Sequence, residues 1–116
     1  MRAHLALALS MAAALAACGG TPGGPSRQHK IGLVYFAEGA DTCMKGLFDG
    51  LKEQGIEEHV NLEVRRAHAQ AEIANIPLLI QNYDSSDVDV IVAMTTPVLT
   101  AASTMARSKP VVFTYV

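Results

Sequence analysis

Two adjacent hydroxyl side chains, Thr95 and Thr96, interrupt the apolar stretch VAMTTPVLTAA (residues 92–102) and are followed by Pro97. Proline fits the first position of a helix, where its missing N–H costs nothing, and it favours an extended Thr96 suited to an N-cap. The hydroxyls would then lie beside a helix N-terminus, whose free amides and dipole attract an anion such as a carboxylate. The pattern therefore predicts either an anion site or a plain helix cap without a ligand.

Other residue patterns with known chemistry are absent from the sequence. There is no G-x-G-x-x-G after the first strand, no Walker loop and no G-x-S-x-G elbow, and the four histidines lack metal-ligand spacing. Glu38 and Asp41 are interpreted as a loop acid and a helix cap rather than a cation site, and Asp84, Asp87 and Asp89 as solvated turn residues. We expect no enzymatic activity, no cofactor and no metal.

The elements that must position the threonines follow from four runs rich in β-branched and aromatic residues, separated by stretches of helical length. These runs cover residues 30–36, 61–67, 88–94 and 110–116. The last two are nearly continuous in apolar residues, as in strands buried on both faces, whereas the charged second run indicates an edge strand. The alternation predicts an α/β three-layer sandwich with a parallel sheet, in the strand order 2-1-3-4 that right-handed crossovers give.

The first helix is predicted from about Asp41, as its cap, to Gln54, with Gly55 in the left-handed conformation that ends it. Gly46 and Gly50 lie four residues apart on one face and would permit a close approach to the sheet. The second helix should either start late, near residue 75, or have a distorted first turn, because a proline follows at position 77. The third helix should cover residues 97–107.

A ligand site is expected at the carboxyl edge of this sheet, most readily between strands 1 and 3, where the strand order reverses. The loops at that edge contain residues 37–40, residues 68–70, Thr95 with Thr96, and Thr114 with Tyr115. Charge does not suggest nucleic acid as a partner, because nine basic residues are scattered and offset by eleven acidic ones.

The N-terminal residues resemble an export signal. Residues 1–17 combine a basic start with a short apolar core, and Leu15-Ala16-Ala17-Cys18 resembles the lipobox in which the cysteine is acylated. Residues 18–29 then form a flexible tether, and an ordinary cleaved signal peptide with an incidental Cys18 is the alternative. The lipobox predicts a membrane-anchored lipoprotein in the periplasm or at the cell surface, with Cys43 as a small buried apolar residue.

Five segments together resemble the substrate-binding lipoproteins of ABC transporters, in the group associated with tryptophan and other aromatic amino acids: IGLVYF, GLFDGLKEQGI, NIPLLIQN, VDVIVAMTTPVLTAA and KPVVFTYV. The resemblance covers about residues 30–116. It implies a two-lobed periplasmic-binding-protein fold of type I, which captures a small solute and docks on a membrane permease. It also implies that one side of the ligand cleft is formed by the loops at Glu38 with Gly39, Thr95 with Thr96, and Thr114 with Tyr115.

The length of the chain departs from that family, whose members are several times larger than one half-lobe. Residues 30–116 are therefore expected to be an incomplete N-terminal α/β lobe of a truncated product. The alternative is a small exported flavodoxin-like or receiver-like module with a sensory or enzymatic role, although Ala37-Glu38 does not supply the acid pair of a receiver.

Overall fold

The computed structural model describes residues 27–116, so the predicted signal peptide, Cys18 and most of the tether lie outside the described residues. The elements in chain order are β1 (His29–Tyr35), α1 (Asp41–Glu53), β2 (Leu62–His68), a 3₁₀ turn (Ile73–Asn75), α2 (Ile76–Asp84), β3 (Val90–Met94), α3 (Thr96–Met105) and β4 (Val111–Thr114). The predicted alternation of strands and helices is confirmed. Within the described range, no helix is long and apolar enough to cross a membrane.

The four strands form one parallel sheet in the order β2-β1-β3-β4, as predicted. The strand register places Tyr35 of β1 beside His68 of β2 and Met94 of β3, and Met94 beside Thr114 of β4. The last residues of all four strands therefore form one row across the sheet at its carboxyl edge.

Two apolar clusters lie on the two faces of the sheet, which confirms the three-layer arrangement. Leu33 and Val34, adjacent in β1, are both fully buried but belong to different clusters, because successive strand residues point to opposite faces. Helices α2 and α3 pack on the face of Val34. Helix α1 packs on the face of Leu33 through side chains that are only partly buried, namely Cys43, Met44, Leu47, Phe48 and Leu51.

The prediction that the fourth strand is buried on both faces is wrong, since Val112 and Phe113 of β4 are 51% and 57% exposed. Within residues 27–116, β4 has a neighbouring strand on one side only.

The end of α1 follows from Gly55, whose φ of +78° is the predicted left-handed conformation. The N–H of Gly55 donates to the carbonyl of Lys52 (2.9 Å), and the N–H of Ile56 donates to the carbonyl of Leu51 (2.9 Å). These two bonds are the Schellman pattern, which satisfies carbonyls that the helix itself leaves without partners.

Two details predicted for α1 are wrong. Asp41 is the first helical residue rather than the cap, and Ala40 occupies the cap position without a side-chain hydrogen bond. Asp41 still lies in the first turn, where its charge complements the helix dipole. Gly46 and Gly50 face solvent, with no heavy atom within 4 Å of a Cβ built on either, because the apolar residues that pack on the sheet lie on the opposite face of the helix.

Close backbone approach occurs instead at Gly32 of β1, where the ring of Tyr83 from α2 lies against the strand. A Cβ on Gly32 would come within 2.7 Å of Tyr83 Cγ and Cδ2. The same packing buries much of the Tyr83 side chain and raises the pKa of its hydroxyl. Gly32 is therefore the position at which the absence of a side chain lets α2 pack closely on the sheet.

We expect Gly32→Ala to lower the free energy of unfolding by about 1–3 kcal/mol, since the added methyl group must displace an aromatic ring from a packed layer. Gly46→Ala is the matched control, and it should raise stability by up to about 1 kcal/mol because it replaces glycine in an exposed helix. Denaturant titration of both variants measures the difference. Equal stability of Gly32→Ala and the parent would show that Tyr83 moves aside without cost.

Candidate functional site

All the residues predicted to bind a ligand lie at the carboxyl edge of the sheet. Glu38 and Gly39 are exposed in the loop after β1, and Gly39 has a φ of +97°. Thr95 directly follows β3. Thr114 is the last residue of β4, and it is followed by Tyr115, whose side chain is exposed.

Backbone hydrogen bonds join these loops in pairs. The N–H of Thr95 donates to the carbonyl of Thr114 (3.3 Å), which ties the end of β3 to the end of β4. On the other side, the N–H of Ala71 after β2 donates to the carbonyl of Phe36 after β1 (2.8 Å). The structure thus brings Thr95, Thr96, Thr114 and Tyr115 into one half of the edge, while Glu38 and Gly39 belong to the other.

Helix α3 begins one residue earlier than predicted. Thr96 is its first residue and Thr95 occupies the cap position, so the prediction of Thr96 as the N-cap is wrong. Pro97 is the second helical residue. Proline is tolerated there because the N–H groups in the first turn of a helix have no helical partner, so a missing N–H costs no hydrogen bond. The first helical bond runs from the N–H of Leu99 to the carbonyl of Thr95 (3.1 Å). The amides of Thr96 and Val98 have no backbone partner among the described residues and are the free donors of this helix end.

Thr95 carries two energetic costs. Its backbone lies at φ 81° and ψ 152°, a conformation that is essentially restricted to glycine and costs about 1–3 kcal/mol for other residues. Its hydroxyl makes no cap bond, and Thr95 Oγ1 is buried without a hydrogen-bond partner among the described residues. A buried unsatisfied polar group costs about 1–3 kcal/mol. The plain helix cap of the sequence analysis therefore does not describe this hydroxyl.

One further buried side-chain atom lacks a partner within residues 27–116, namely Nε2 of His68 at the end of β2. The His68 ring lies against Tyr35, with a distance of 4.9 Å between ring centroids. Sequence reasoning placed His68 in an edge loop but did not select it. The signal that could have identified it is a hydrogen-bonding side chain at the last position of a strand, where a parallel sheet presents its ligands.

Left-handed backbone is also concentrated at this edge. Non-glycine residues with positive φ in the described chain are Gln70, Ala71, Thr95, Tyr115 and His59. Of these, all but His59 follow the carboxyl end of a strand. Unusual backbone conformations and unsatisfied polar atoms in the same place are typical of a functional site.

The basic side chain nearest this end of β2 in sequence is already engaged. Arg66 forms two hydrogen bonds with the Glu58 carboxylate (2.7 and 2.9 Å), and its guanidinium lies 5.1 Å from the ring centroid of Phe48. The hydrogen bond from Arg66 lowers the pKa of Glu58. An anion at the carboxyl edge would therefore depend on hydroxyls and backbone amides rather than on this guanidinium.

Carboxylates at the opposite, amino-terminal edge of the sheet accept several hydrogen bonds, and Asp84 at the end of α2 is the main example. Its carboxylate accepts hydrogen bonds of 2.9–3.1 Å from three consecutive backbone N–H groups, those of Arg107, Ser108 and Lys109. The bond from Ser108 is the largest cause of the lowered pKa of Asp84. Asp84 is a structural tie between α2 and the loop before β4, which corrects its interpretation as a solvated turn residue.

Asp87 and Asp89 are also tied to the sheet. The Asp87 carboxylate accepts from Lys30 Nζ (2.6 Å) and Arg65 Nη1 (2.7 Å), and these contacts, Lys30 first, lower its pKa. Asp89 accepts from the backbone N–H of Lys30 (2.8 Å). At the carboxyl edge, by contrast, Thr95 Oγ1 and His68 Nε2 are buried and have no partner in the described part of the chain.

The chemistry available at the carboxyl edge is noncovalent binding. It offers a buried hydroxyl, two free amides, an imidazole and the exposed carboxylate of Glu38. In the part of the chain that the structure describes, no three His, Cys, Asp or Glu residues are grouped so that they could hold a metal ion.

Comparison with known proteins agrees with this architecture. A family model described as ABC transporter substrate binding protein matches residues 30–116. A conserved domain protein from Vibrio cholerae is similar in structure, with a TM-score of 0.71 and 31% identity, over 76% of this chain and 30% of that one. The ligand-free, open structure of a substrate-binding protein with adhesive properties from Clostridium difficile has a TM-score of 0.68 and 23% identity, over 73% of this chain and 30% of that one.

A search of curated proteins found no match. The chain spans 30% of the length of each structural neighbour.

Proposed function

The chain belongs to the ABC transporter substrate-binding protein family, and from that premise we propose that it captures a small solute outside the cytoplasmic membrane and delivers it to an ABC permease. Proteins of this kind are generally extracytoplasmic and bind rather than transform their solutes. The family match also favours this role over the flavodoxin-like or receiver-like module. No catalytic step is proposed.

The observation that carries the proposal is the state of Thr95. A β-branched residue in a glycine-like conformation, with a buried hydroxyl that has no partner within residues 27–116, occupies the cap of α3. The cost of the buried hydroxyl is removed if a solute group accepts a hydrogen bond from Thr95 Oγ1. The free amides of Thr96 and Val98 lie at the same helix N-terminus and favour a negatively charged group.

We propose an amino acid as the solute, because its carboxylate suits the N-terminus of α3 and its ammonium group suits a carboxylate at the same edge. Glu38 supplies such a carboxylate in the loop after β1. Gly39, Thr114 and Tyr115 complete this side of the cleft in the proposal. The proposal that this amino acid has an aromatic side chain is based on the sequence resemblance described above.

The test is a binding measurement on the protein as its gene encodes it, with each of the twenty amino acids as a probe. We expect at least one to bind with a Kd of about 1 µM or lower, and at 100 times Kd to stabilise the protein by about 2.7 kcal/mol. The amine that lacks only the carboxylate, such as tyramine for L-tyrosine, is the control and should not bind. If no amino acid binds, the proposed solute class is wrong.

Membrane attachment is a separate proposal, which rests on Leu15-Ala16-Ala17-Cys18. We expect Cys18 to be acylated, so that Cys18→Ala releases the protein from the membrane fraction. Labelling with a radioactive fatty acid and mass spectrometry of the N-terminal peptide measure this directly. Cys43→Ala is the control and should keep the label. An unmodified peptide that starts at another residue would show an ordinary signal peptide.

A further inference from the structure

We infer that His68 is a specificity-determining residue whose Nε2 atom forms a hydrogen bond with a polar group of the solute, at the end of the solute remote from Thr95. This inference rests on the proposed solute-binding function. It extends the site from the β3 and β4 loops to the end of β2, which the predicted set of binding residues did not include.

The first observation is the coincidence of the two unsatisfied atoms. Within residues 27–116, the buried side-chain nitrogen and oxygen atoms without a partner are His68 Nε2 and Thr95 Oγ1. Both belong to residues at the carboxyl end of a strand, in a sheet whose opposite edge hydrogen-bonds the carboxylates of Asp84, Asp87 and Asp89. Since buried polar groups are normally hydrogen-bonded, two exceptions at one edge point to a common missing partner.

The second observation is that the His68 ring is held in place. It lies against the Tyr35 ring, with 4.9 Å between centroids and an angle of 34° between the ring planes, and Tyr35 is its register partner in the sheet. The next residue is fixed as well, because the N–H of Ala69 donates to the carbonyl of Tyr35 (3.0 Å). An imidazole positioned in this way presents Nε2 as a fixed donor or acceptor, according to its tautomer.

The geometry sets the relation between the two contacts. Strands β2 and β3 are separated only by β1, and neighbouring strands lie about 4.8 Å apart, so the strand ends that carry His68 and Thr95 are about 10 Å apart. A solute that contacts both residues must therefore lie across the end of β1 and span about this distance. The solute then carries a second hydrogen-bonding group at the end opposite the group bound by Thr95.

The experiment combines two readouts on the protein as its gene encodes it, with the tightest-binding of the twenty amino acids as the probe. In protein labelled with ¹⁵N-histidine, addition of the probe should shift the Nε2 resonance of His68. His29 and His59 lie at the amino-terminal edge and should not shift. This measurement needs no substitution, so it does not depend on whether a variant folds.

The second readout is affinity and stability together. His68→Phe keeps a ring against Tyr35 but removes the polar atom, and we expect about tenfold weaker binding with an unchanged or higher melting temperature. His68→Gln places an amide near the position of Nε2 and should restore part of the affinity. A substitution that merely disturbed packing would lower the melting temperature and would not be rescued by glutamine.

The outcomes separate the inference from the function on which it rests. A shifted His68 resonance together with weaker binding by His68→Phe supports the inference. If an amino acid binds but the resonance is unchanged and His68→Phe binds as tightly as the parent, the role of His68 is overturned and the solute-binding function stands. If no amino acid binds, the proposed solute class fails and the inference fails with it.

Discussion

Thr95→Val is expected to stabilise the protein while weakening its affinity for the solute. Valine has the shape of threonine, so the strained backbone at φ 81° is unchanged and only the hydroxyl is lost. Without solute, removal of a buried unsatisfied hydroxyl should raise the free energy of unfolding by about 1–3 kcal/mol. With solute, loss of a hydrogen bond to a charged group should cost about 1.5–3 kcal/mol, or roughly 10- to 100-fold in Kd.

The opposite signs of the two effects make this variant decisive. A threonine that only starts a helix would lose stability on substitution and leave affinity unchanged. Calorimetric titration with the best amino acid from the panel, read beside a melting curve, measures both quantities. Thr96→Val added to Thr95→Val should weaken binding further if both threonines contact the solute.

Thr100→Val is the matched control in the same helix. The exposed Thr100 hydroxyl donates to the carbonyl of Thr96 (2.9 Å), so its loss changes an ordinary local bond. We expect an effect within about 0.5 kcal/mol on stability and none on affinity. If Thr95→Val and Thr100→Val behave alike, the hydroxyl of Thr95 has no solute role.

The fold could be predicted from the sequence because its determinants are local and periodic. Apolar runs interrupted by helical spacing identify strands and helices, and the handedness of crossovers then limits the strand order. Gly55 ends α1 as predicted, because glycine is the residue that most readily adopts the left-handed conformation at the end of a helix. The predicted close approach of Gly46 and Gly50 to the sheet is wrong, because two glycines on one face of a helix do not indicate which face meets the sheet.

The site was predictable in position but not in detail. The carboxyl edge follows from strand topology, so Thr95, Thr96 and Thr114 could be assigned to it in advance. The cap of α3 was placed one residue late because proline is equally compatible with the first two helical positions. The unpartnered atoms of Thr95 and His68 depend on the packing of three strands, and single-sequence patterns carry no information about such contacts.

Residues 27–116 produced on their own are expected to self-associate through β4. Its residues Val112 and Phe113 are 51% and 57% exposed and point to opposite faces of the sheet, and Tyr115 and Val116 continue the exposed apolar surface. Among the strands of residues 27–116, β4 pairs only with β3, so its outer side presents unpaired backbone groups. A bare edge with apolar side chains on both faces is a template for pairing with a second chain.

Val112→Lys should shift this protein toward the monomer, because a lysine on an edge strand opposes pairing with another strand. Val60→Lys is the matched control, since Val60 is even more exposed, at 73%, but lies in the loop before β2 and should leave association unchanged. Sedimentation velocity and light scattering over a concentration series measure the association. A parent that stays monomeric and unfolds in one sharp transition would contradict the expected association, whereas association abolished by Val112→Lys and not by Val60→Lys would show that the contact is made through β4.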